Sequence, residues 1–435
     1  MSNSVSFFWF RRDLRLHDNT GLYHALKSGT PVQAIFIFDT DILDKLEDKK
    51  DARLVFIHEQ LEKINAQLLD YGSSLLIEFG KPLDIWKKVS AKHSVKEVFV
   101  NGDYEPYARE RDKTIKEFLS AKGIGFNSYK DQVIFEKDEL TKDNGQPYTV
   151  FTPYSKRWKA LITKNSFSPA TSEKLLGNFH KGGPFEIPSL SSIGFKDFKF
   201  DFPSSSLDKN ILTNYAEKRD FPAVNGTSRL SVHLRFGTIS IRKLFREAWS
   251  VSEKWTNELI WREFYTSILW HFPYVIHSAF KPAYDRLEWI PDEDGFQKWC
   301  EGRTGYPIVD AGMRELNETG FMHNRVRMIT ATFLTKYLLV DWRWGEAYFA
   351  KKLLDFDLAA NNGGWQWCAG TGVDAAPYFR IFSMDSQTQR FDPDFEYTKK
   401  WIPDYGKSTY PDPIIDYGFA RKRCLEFYKS GLAKS

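Results

Sequence analysis

Four short runs rich in Phe, Ile and Val, at residues 5–10, 32–38, 74–79 and 97–100, alternate with longer amphipathic stretches such as 51–69 and 107–121. No other feature constrains the fold of this chain as strongly. A strand-length apolar run followed by a helix-length amphipathic one reads as a βαβ unit, and repeated units form a mostly parallel sheet covered on both faces. Residues 1–130 are therefore expected to form an α/β domain with a doubly wound parallel sheet. Ligands of such sheets bind beyond the carboxyl ends of the strands. There the first strand runs into Arg11-Arg12-Asp13-Leu14-Arg15, a charged turn suited to that place. No Gly-x-Gly-x-x-Gly follows a strand, so the dinucleotide fingerprint is absent.

From 131 to 207 the periodicity fades. Pro153, Pro169, Pro184, Pro188 and Pro203 punctuate Ser-, Lys- and Phe-rich sequence, which reads as a long connector running over the surface. After Asp208 apolar residues recur at three- and four-residue spacing, over 255–270, 312–320, 325–340 and 345–354. That pattern predicts an all-α domain over 208–405, followed by a short tail at 406–435. The chain carries 14 Trp in 435 residues, an excess that suits a filled core, base stacking or electron transfer. A formal net charge of +4 requires any nucleic-acid site to be a local patch. Three widely spaced cysteines, Cys300, Cys368 and Cys424, argue against a disulfide framework or a zinc site and for a reducing, cytoplasmic compartment. No apolar leader or membrane-spanning run is present in the sequence.

Chemistry concentrates in the helical half. The stretch 355–367 holds Asp355, Asp357, Asn361, Gly363, Gly364, Trp365 and Trp367. Its carboxylates can accept from the N–H groups of a heterocycle, and the Asn361 amide can donate and accept. The two glycines let backbone approach something flat, or simply end a helix; a loop with a buried aromatic after it is the plainer alternative. In 226–231, Thr227, Ser228 and Ser231 offer hydroxyls at a helix start, either a phosphate cradle or an ordinary cap. Glu258, Trp261, Arg262 and Tyr265 fall at helical spacing, putting a carboxylate, an indole and a guanidinium on one side. In 322–328, Arg325 and Arg327 point to different sides, so that one can meet an aspartate while the other faces a phosphate; a solvated basic turn is the plainer reading.

Together these residues resemble the photolyase/cryptochrome family over almost the whole chain. The resemblance is carried by Arg11-Arg12-Asp13-Leu14-Arg15, by Trp-Arg-Glu-Phe-Tyr at 261–265 and by Thr-Gly-Tyr-Pro-Ile-Val-Asp at 304–310. Met-His-Asn-Arg at 322–325 and Ala-Ala-Asn-Asn-Gly-Gly-Trp-Gln-Trp at 359–367 complete it. It is closest to class I cyclobutane pyrimidine dimer photolyases. The resemblance implies a non-covalent FAD, active as FADH⁻, in the helical domain, and light-driven splitting of pyrimidine dimers in damaged DNA. Carried over by position, Tyr215 and Thr227, Ser228, Arg229, Leu230 and Ser231 would hold the phosphate and ribityl part, and Arg262 would line the pocket. Arg327 would pair with Asp355, Asp357 would bond the isoalloxazine edge, and Asn361 would sit at flavin N5. Glu258 would bond the dimer, Trp261 and Trp367 would form its apolar wall, and Asn324 and Met328 would touch it. Arg219, Arg325 and Arg380 would serve the DNA strand. Trp365, Trp342 and Trp289 match the family's electron relay.

Three alternatives remain open on the same residues. A signalling cryptochrome is opposed by the amide at Asn361, which cannot readily hand a proton to reduced N5, and by the short stretch after the helical domain. A (6-4) photolyase is opposed by His323-Asn324 where that group has a His pair. A dark flavoprotein carrier would not need two indoles and three arginines around one pocket. Tyr107-Ala108 stand where folate-using relatives carry Asn-Glu, and Ile276-His277 about where they carry Cys-Lys. This counts against methenyltetrahydrofolate and leaves a deazaflavin, another flavin or no antenna. No coiled-coil seam is evident, so a monomer is expected, with no obligate protein partner.

Overall fold

A computed structural model describes residues 4–433. The chain divides into two compact units: residues 1–139, 160–207 and 229–250 form one, and 140–159, 208–228 and 251–435 the other.

The first unit contains β1 (Val5–Phe10), β2 (Val32–Asp39), β3 (Leu76–Gly80), β4 (Val95–Asn101) and β5 (Gly125–Tyr129), parallel throughout and ordered β3-β2-β1-β4-β5. Strands β1 and β2 are buried along their entire length, which is why their sequences are continuous apolar runs instead of alternating ones. Strand β5, Gly-Phe-Asn-Ser-Tyr, has no such run, and only its pairing with β4 identifies it. Helices 82–92 and 106–120 each start on a proline, whose fixed φ and missing N–H suit a first turn.

The strand order reverses between β1 and β4, the place where ligands of such sheets bind, but the charged turn there is spent on contacts within the unit. Arg11 Nη1 donates to both oxygens of Asp112 at 2.5 and 2.6 Å. Arg12 reaches Glu105 at 2.8 Å and Arg15 reaches Asp131 at 2.6 Å. The Tyr107 hydroxyl donates to Asp39 at 2.6 Å. Deeper in the same unit, Arg242 ties Asp18 at 2.9 Å to Asp131 at 2.8 Å. Burial raises the Asp131 pKa, but Arg15 and Arg242 outweigh it and hold the carboxyl at about 2.

The second unit is helical. Its core gathers Trp299, Met313, Phe333, Leu334, Tyr337, Trp342 and Trp365, all buried. The helix expected over 325–340 runs as α-helix only through Asn324–Thr332, continues as a π-turn over Phe333–Leu338 and stops at Leu339, whose φ is +58°. Nor does 131–207 act as a surface connector. Residues 140–159 join the second unit, where Trp158 donates to Glu263 at 2.6 Å, and 160–207 join the first, where Phe179 is buried and bridges to Val32. The tail contains the helix Tyr417–Ala433, with Cys424 and Tyr428 fully buried. In the tail the buried residues Ala420, Cys424, Tyr428 and Gly431 fall at helical spacing, a period too sparsely apolar to stand out among the charged residues around it. Among the described residues no helix is long and apolar enough to cross a membrane.

Removing Arg242 leaves two buried carboxylates without their shared cation, a change that costs about 3–5 kcal/mol in comparable cases. Arg242→Ala should therefore shift the denaturant midpoint strongly. The native Asp131 contribution is complete above its ordinary 3.8 and is lost as pH falls toward about 2. With Arg15 still beside Asp131, the variant should lose part of that acid resistance, and unchanged midpoints across this range would refute the assignment.

Candidate functional site

The helix Leu358–Ala369 is the axis of the site. Asp357 caps it, accepting from Ala360 N–H at 3.2 Å, so this carboxylate is committed at least in part to the helix start. The sequence allows Gly363-Gly364 to end the helix; instead both lie inside it, and Gly370 at φ +82° ends it. A Cβ on Gly363 would lie 2.2 Å from the Tyr265 ring, so the helix Glu253–His271 can close onto this one only because that side chain is missing. A Cβ on Gly364 would meet nothing within 4 Å. Gly364 lies three residues from both Asn361 and Trp367 and so shares a face with them. Open space therefore borders that face.

Around this helix, Arg327 donates to both oxygens of Asp355 at 3.1 and 2.9 Å and to the Met322 carbonyl at 2.8 Å. Arg325 turns the other way, to Asp220 at 2.8 Å, with its guanidinium 4.3 Å from the Phe391 ring centre. The two arginines do point apart, but Arg325, expected to face a phosphate of the DNA strand, is paired with an aspartate like Arg327. The Asn361 amide donates to the Glu346 carbonyl at 3.1 Å and its carboxyl at 2.8 Å. Burial raises the pKa of Glu346, against the effect of that bond.

On helix 253–271, the Trp261 ring stacks on Phe151 with centroids 3.6 Å apart and planes within 6°. It also leans on Tyr265 at 5.6 Å. Phe151 was not among the residues expected from sequence; it lies in the stretch that reads as connector. Arg262 sits half-buried on the same helix. Glu258 is bonded to Arg219 through Nη1. Burial raises the Glu258 pKa, and Arg219 opposes the rise. Arg219, expected to face a DNA strand, is therefore engaged with Glu258 and lies 5.5 Å from the Tyr215 ring centre. Ser228 accepts from the Trp255 indole N–H at 3.3 Å. The five-residue stretch after Gly226 is divided: Thr227 and Ser228 belong to the second unit, and Arg229, Leu230 and Ser231 to the first. Arg229 is left-handed at φ +52°, Leu230 is buried and Ser231 is exposed.

Arg325, Met328, Trp367 and Arg380, spread over 56 positions of sequence, line one cavity of about 280 Å³ with Phe382, Gln387, Arg390 and Phe391. Gln387 Oε1 and Arg325 Nε are buried there without a hydrogen-bond partner. Gln387 and Arg390 escaped the sequence reading because the helix Met384–Phe391 looks like an ordinary polar surface turn. Asn324 is exposed at the start of helix 324–332, one turn before Met328. The three relay candidates grade outward: Trp365 and Trp342 are fully buried, and Trp289 is half-buried against Phe427 and Tyr428.

Residues 6–172 match the family model described as DNA photolyase, and 255–408 match the FAD binding domain of DNA photolyase. Deoxyribodipyrimidine photo-lyases of Vibrio cholerae and Escherichia coli are each 36% identical over 97% of this chain and 98% of their own. The crystal structure of a bacterial class III photolyase from Agrobacterium tumefaciens superposes with a TM-score of 0.87 at 33% identity, covering 99% of this chain and 98% of that one.

The two glycines provide a paired test. Gly363→Ala should overpack Tyr265 and cost about 1–3 kcal/mol, whereas Gly364→Ala should stabilise the helix by up to about 1 kcal/mol. Denaturant titration followed by circular dichroism reads both. Equal losses from the two would contradict the asymmetry.

Proposed function

The chain belongs to the DNA photolyase family, and from that premise we propose that it repairs cyclobutane pyrimidine dimers in DNA, using bound FAD and light. The observation that carries this reading is the cavity of about 280 Å³ with Trp367 and Met328 in its wall and Arg325, Arg380 and Arg390 around it. Apolar faces replace the stacking that a base loses on leaving the duplex, worth about 1–3 kcal/mol per base. The surrounding cations suit the phosphates on either side. A dimer stacks poorly already, so extruding it costs less than extruding an intact base, and selectivity follows.

The residues present fit a flavin. Gly364 opens on empty space beside Asn361, and Asp355 is held in place by Arg327. Tyr215, Thr227, Ser228 and Arg262 supply donors for phosphate and ribityl oxygens, and the resemblance assigns the same task to Arg229, Leu230 and Ser231. When bound, reduced FAD supplies the photoexcited electron that opens the dimer. Asn361, held by Glu346, would offer the flavin's N5 an amide and no acidic proton, and Asp357 with Asp355 would hold the ring edge. Glu258 donates a proton-sharing hydrogen bond to the dimer carbonyl; burial favours the neutral form that can do so, whereas the ion pair with Arg219 favours the carboxylate, so donation follows release of that pair. Trp261, backed by Phe151, and Trp367 exclude water from the dimer, and Asn324 and Met328 fix its orientation. Trp365, Trp342 and Trp289 pass electrons inward. The α/β unit is the antenna-type domain in this reading. We place the enzyme in the cytoplasm as a monomer; three buried, unpaired cysteines suit a reducing compartment.

A blue-light receptor or a (6-4) photolyase would use the same fold. Illumination of the photoreduced protein with an oligonucleotide carrying one cis-syn thymine dimer, against a dark control, decides the matter by counting restored thymines. Glu258→Gln should bind the dimer yet lose several-fold in repair yield. In the native enzyme the donor form is present below the Glu258 pKa and is lost as pH rises through it, so yield should fall on the alkaline side; a flat native profile removes Glu258 from this role. Arg380 is exposed and Arg219 is paired. Arg380→Ala should therefore lower the salt dependence of DNA binding by about one unit of log–log slope. Arg219→Ala should leave that slope nearly unchanged, and the reverse pattern would refute this division.

A further inference from the structure

Residues 371–383 join the helix Leu358–Ala369, with its Gly370 cap, to the helix Met384–Phe391 and form neither helix nor strand. This loop brings Arg380 and Phe382 into the wall of the cavity of about 280 Å³. Loops of that kind move unless they are held, and Arg380 can meet a phosphate at a defined place only if its backbone is fixed. Two neighbouring residues of the π-turn Phe333–Leu338 hold it. The Tyr337 hydroxyl donates to the Phe382 carbonyl at 2.7 Å, and the Lys336 ammonium donates to the Arg380 carbonyl at 3.0 Å. Tyr378 adds a third point, stacked on the fully buried Tyr428 with ring centroids 5.2 Å apart and planes within 9°. We propose that Lys336 is a positioning residue for DNA binding, fixing the backbone at Arg380 so that its guanidinium is in place before the damaged strand arrives. The proposal rests on the DNA-repair function proposed above.

A lysine has no other use at this position. Lys336 is 1% exposed, on a turn whose residues are all buried. Among the described residues its side chain makes no ion pair and no second hydrogen bond. The ionisable groups beside it are the thiols of Cys368 and Cys424 and the guanidinium of Arg380. Burial pushes both thiols up to about 12, so neither supplies an anion, and Arg380 adds a like charge. An ammonium in such surroundings is strongly disfavoured unless it is hydrogen-bonded, and burial accordingly moves its pKa down. A methionine would fill the same volume without that penalty. What the ammonium does there, and a methionine cannot, is hold the Arg380 carbonyl through a charge-assisted bond.

An exposed arginine on an untethered loop binds a phosphate only after the loop has been ordered, and the ordering is subtracted from the affinity. With the carbonyl held in the free protein, that loss is taken during folding instead. The role of Lys336 is thus read in binding, and not in the photochemical step.

Lys336→Met keeps the volume and removes the donor. In the flavin-loaded full chain without DNA, hydrogen exchange followed by mass spectrometry should show faster exchange over 378–382 and no change over 358–369. Affinity for an oligonucleotide carrying one thymine dimer should fall about tenfold, while the light-driven repair yield at saturating oligonucleotide stays native. The double variant identifies the route. If Lys336 acts through Arg380, Lys336→Met adds little to the loss caused by Arg380→Ala, whereas independent effects multiply. Multiplied losses, or faster exchange spreading through the helix 358–369, overturn the proposal and leave Lys336 a core residue only. A weakened Arg380→Ala beside a Lys336→Met of native affinity refutes the positioning role alone. Native affinity in Arg380→Ala refutes the DNA contact assigned to Arg380, and the role of Lys336 falls with it.

Discussion

The approach of the helix Glu253–His271 to the helix Leu358–Ala369 at Gly363 is the constraint on which the site depends. Tyr265 occupies the volume that any side chain at 363 would need. One helix carries Glu258, Trp261 and Arg262, the other Asn361, Gly364, Trp365 and Trp367. Their closest approach, and with it the relative placement of acid, indoles and amide, depends on this contact. Chemistry that works by positioning loses efficiency steeply with small displacements. A methyl group at 363 would thus act on the site without touching anything that binds.

The parallel sheet was legible because buried strands leave continuous apolar runs, and four of the five were readable that way. The fifth, Gly125–Tyr129, is a strand because β4 offers it hydrogen bonds, not because of its own residues. The helical half was legible by period, yet its limits were not. The π-turn at 333–338 keeps the apolar spacing while changing the hydrogen bonding, and Tyr417–Ala433 buries Cys424 and Tyr428 from a segment that looks like a polar tail. The stretch 131–207 misled for a related reason. Tyr154, Trp158 and Phe179 are anchors whose partners lie far away in sequence.

Within the site, residue types were easier to read than their engagements. The split between Arg325 and Arg327 follows from helix geometry and was foreseeable. That Arg219 binds Glu258, and that Arg11, Arg12 and Arg15 are absorbed by carboxylates of their own unit, was not. An arginine looks the same in a sequence whether it meets a phosphate or an aspartate. Gln387 and Arg390 show the converse: their helix reads as surface, and only the cavity it helps to enclose gives them significance.

These engagements divide the work among the cations. Arg219 and Arg325 are already held by carboxylates, so little side-chain freedom remains to be lost when a ligand arrives. A paired guanidinium also carries little uncompensated charge, and so releases few counterions from a nucleic acid. Orientation is what such residues can supply. Attraction must come from cations without that compensation, and Arg380 and Arg390, exposed beside the same cavity, are placed for it. The modest net charge of +4 is then no obstacle to binding a polyanion. A few exposed guanidinium groups at the mouth of the cavity provide the field, and the paired ones behind them provide the geometry.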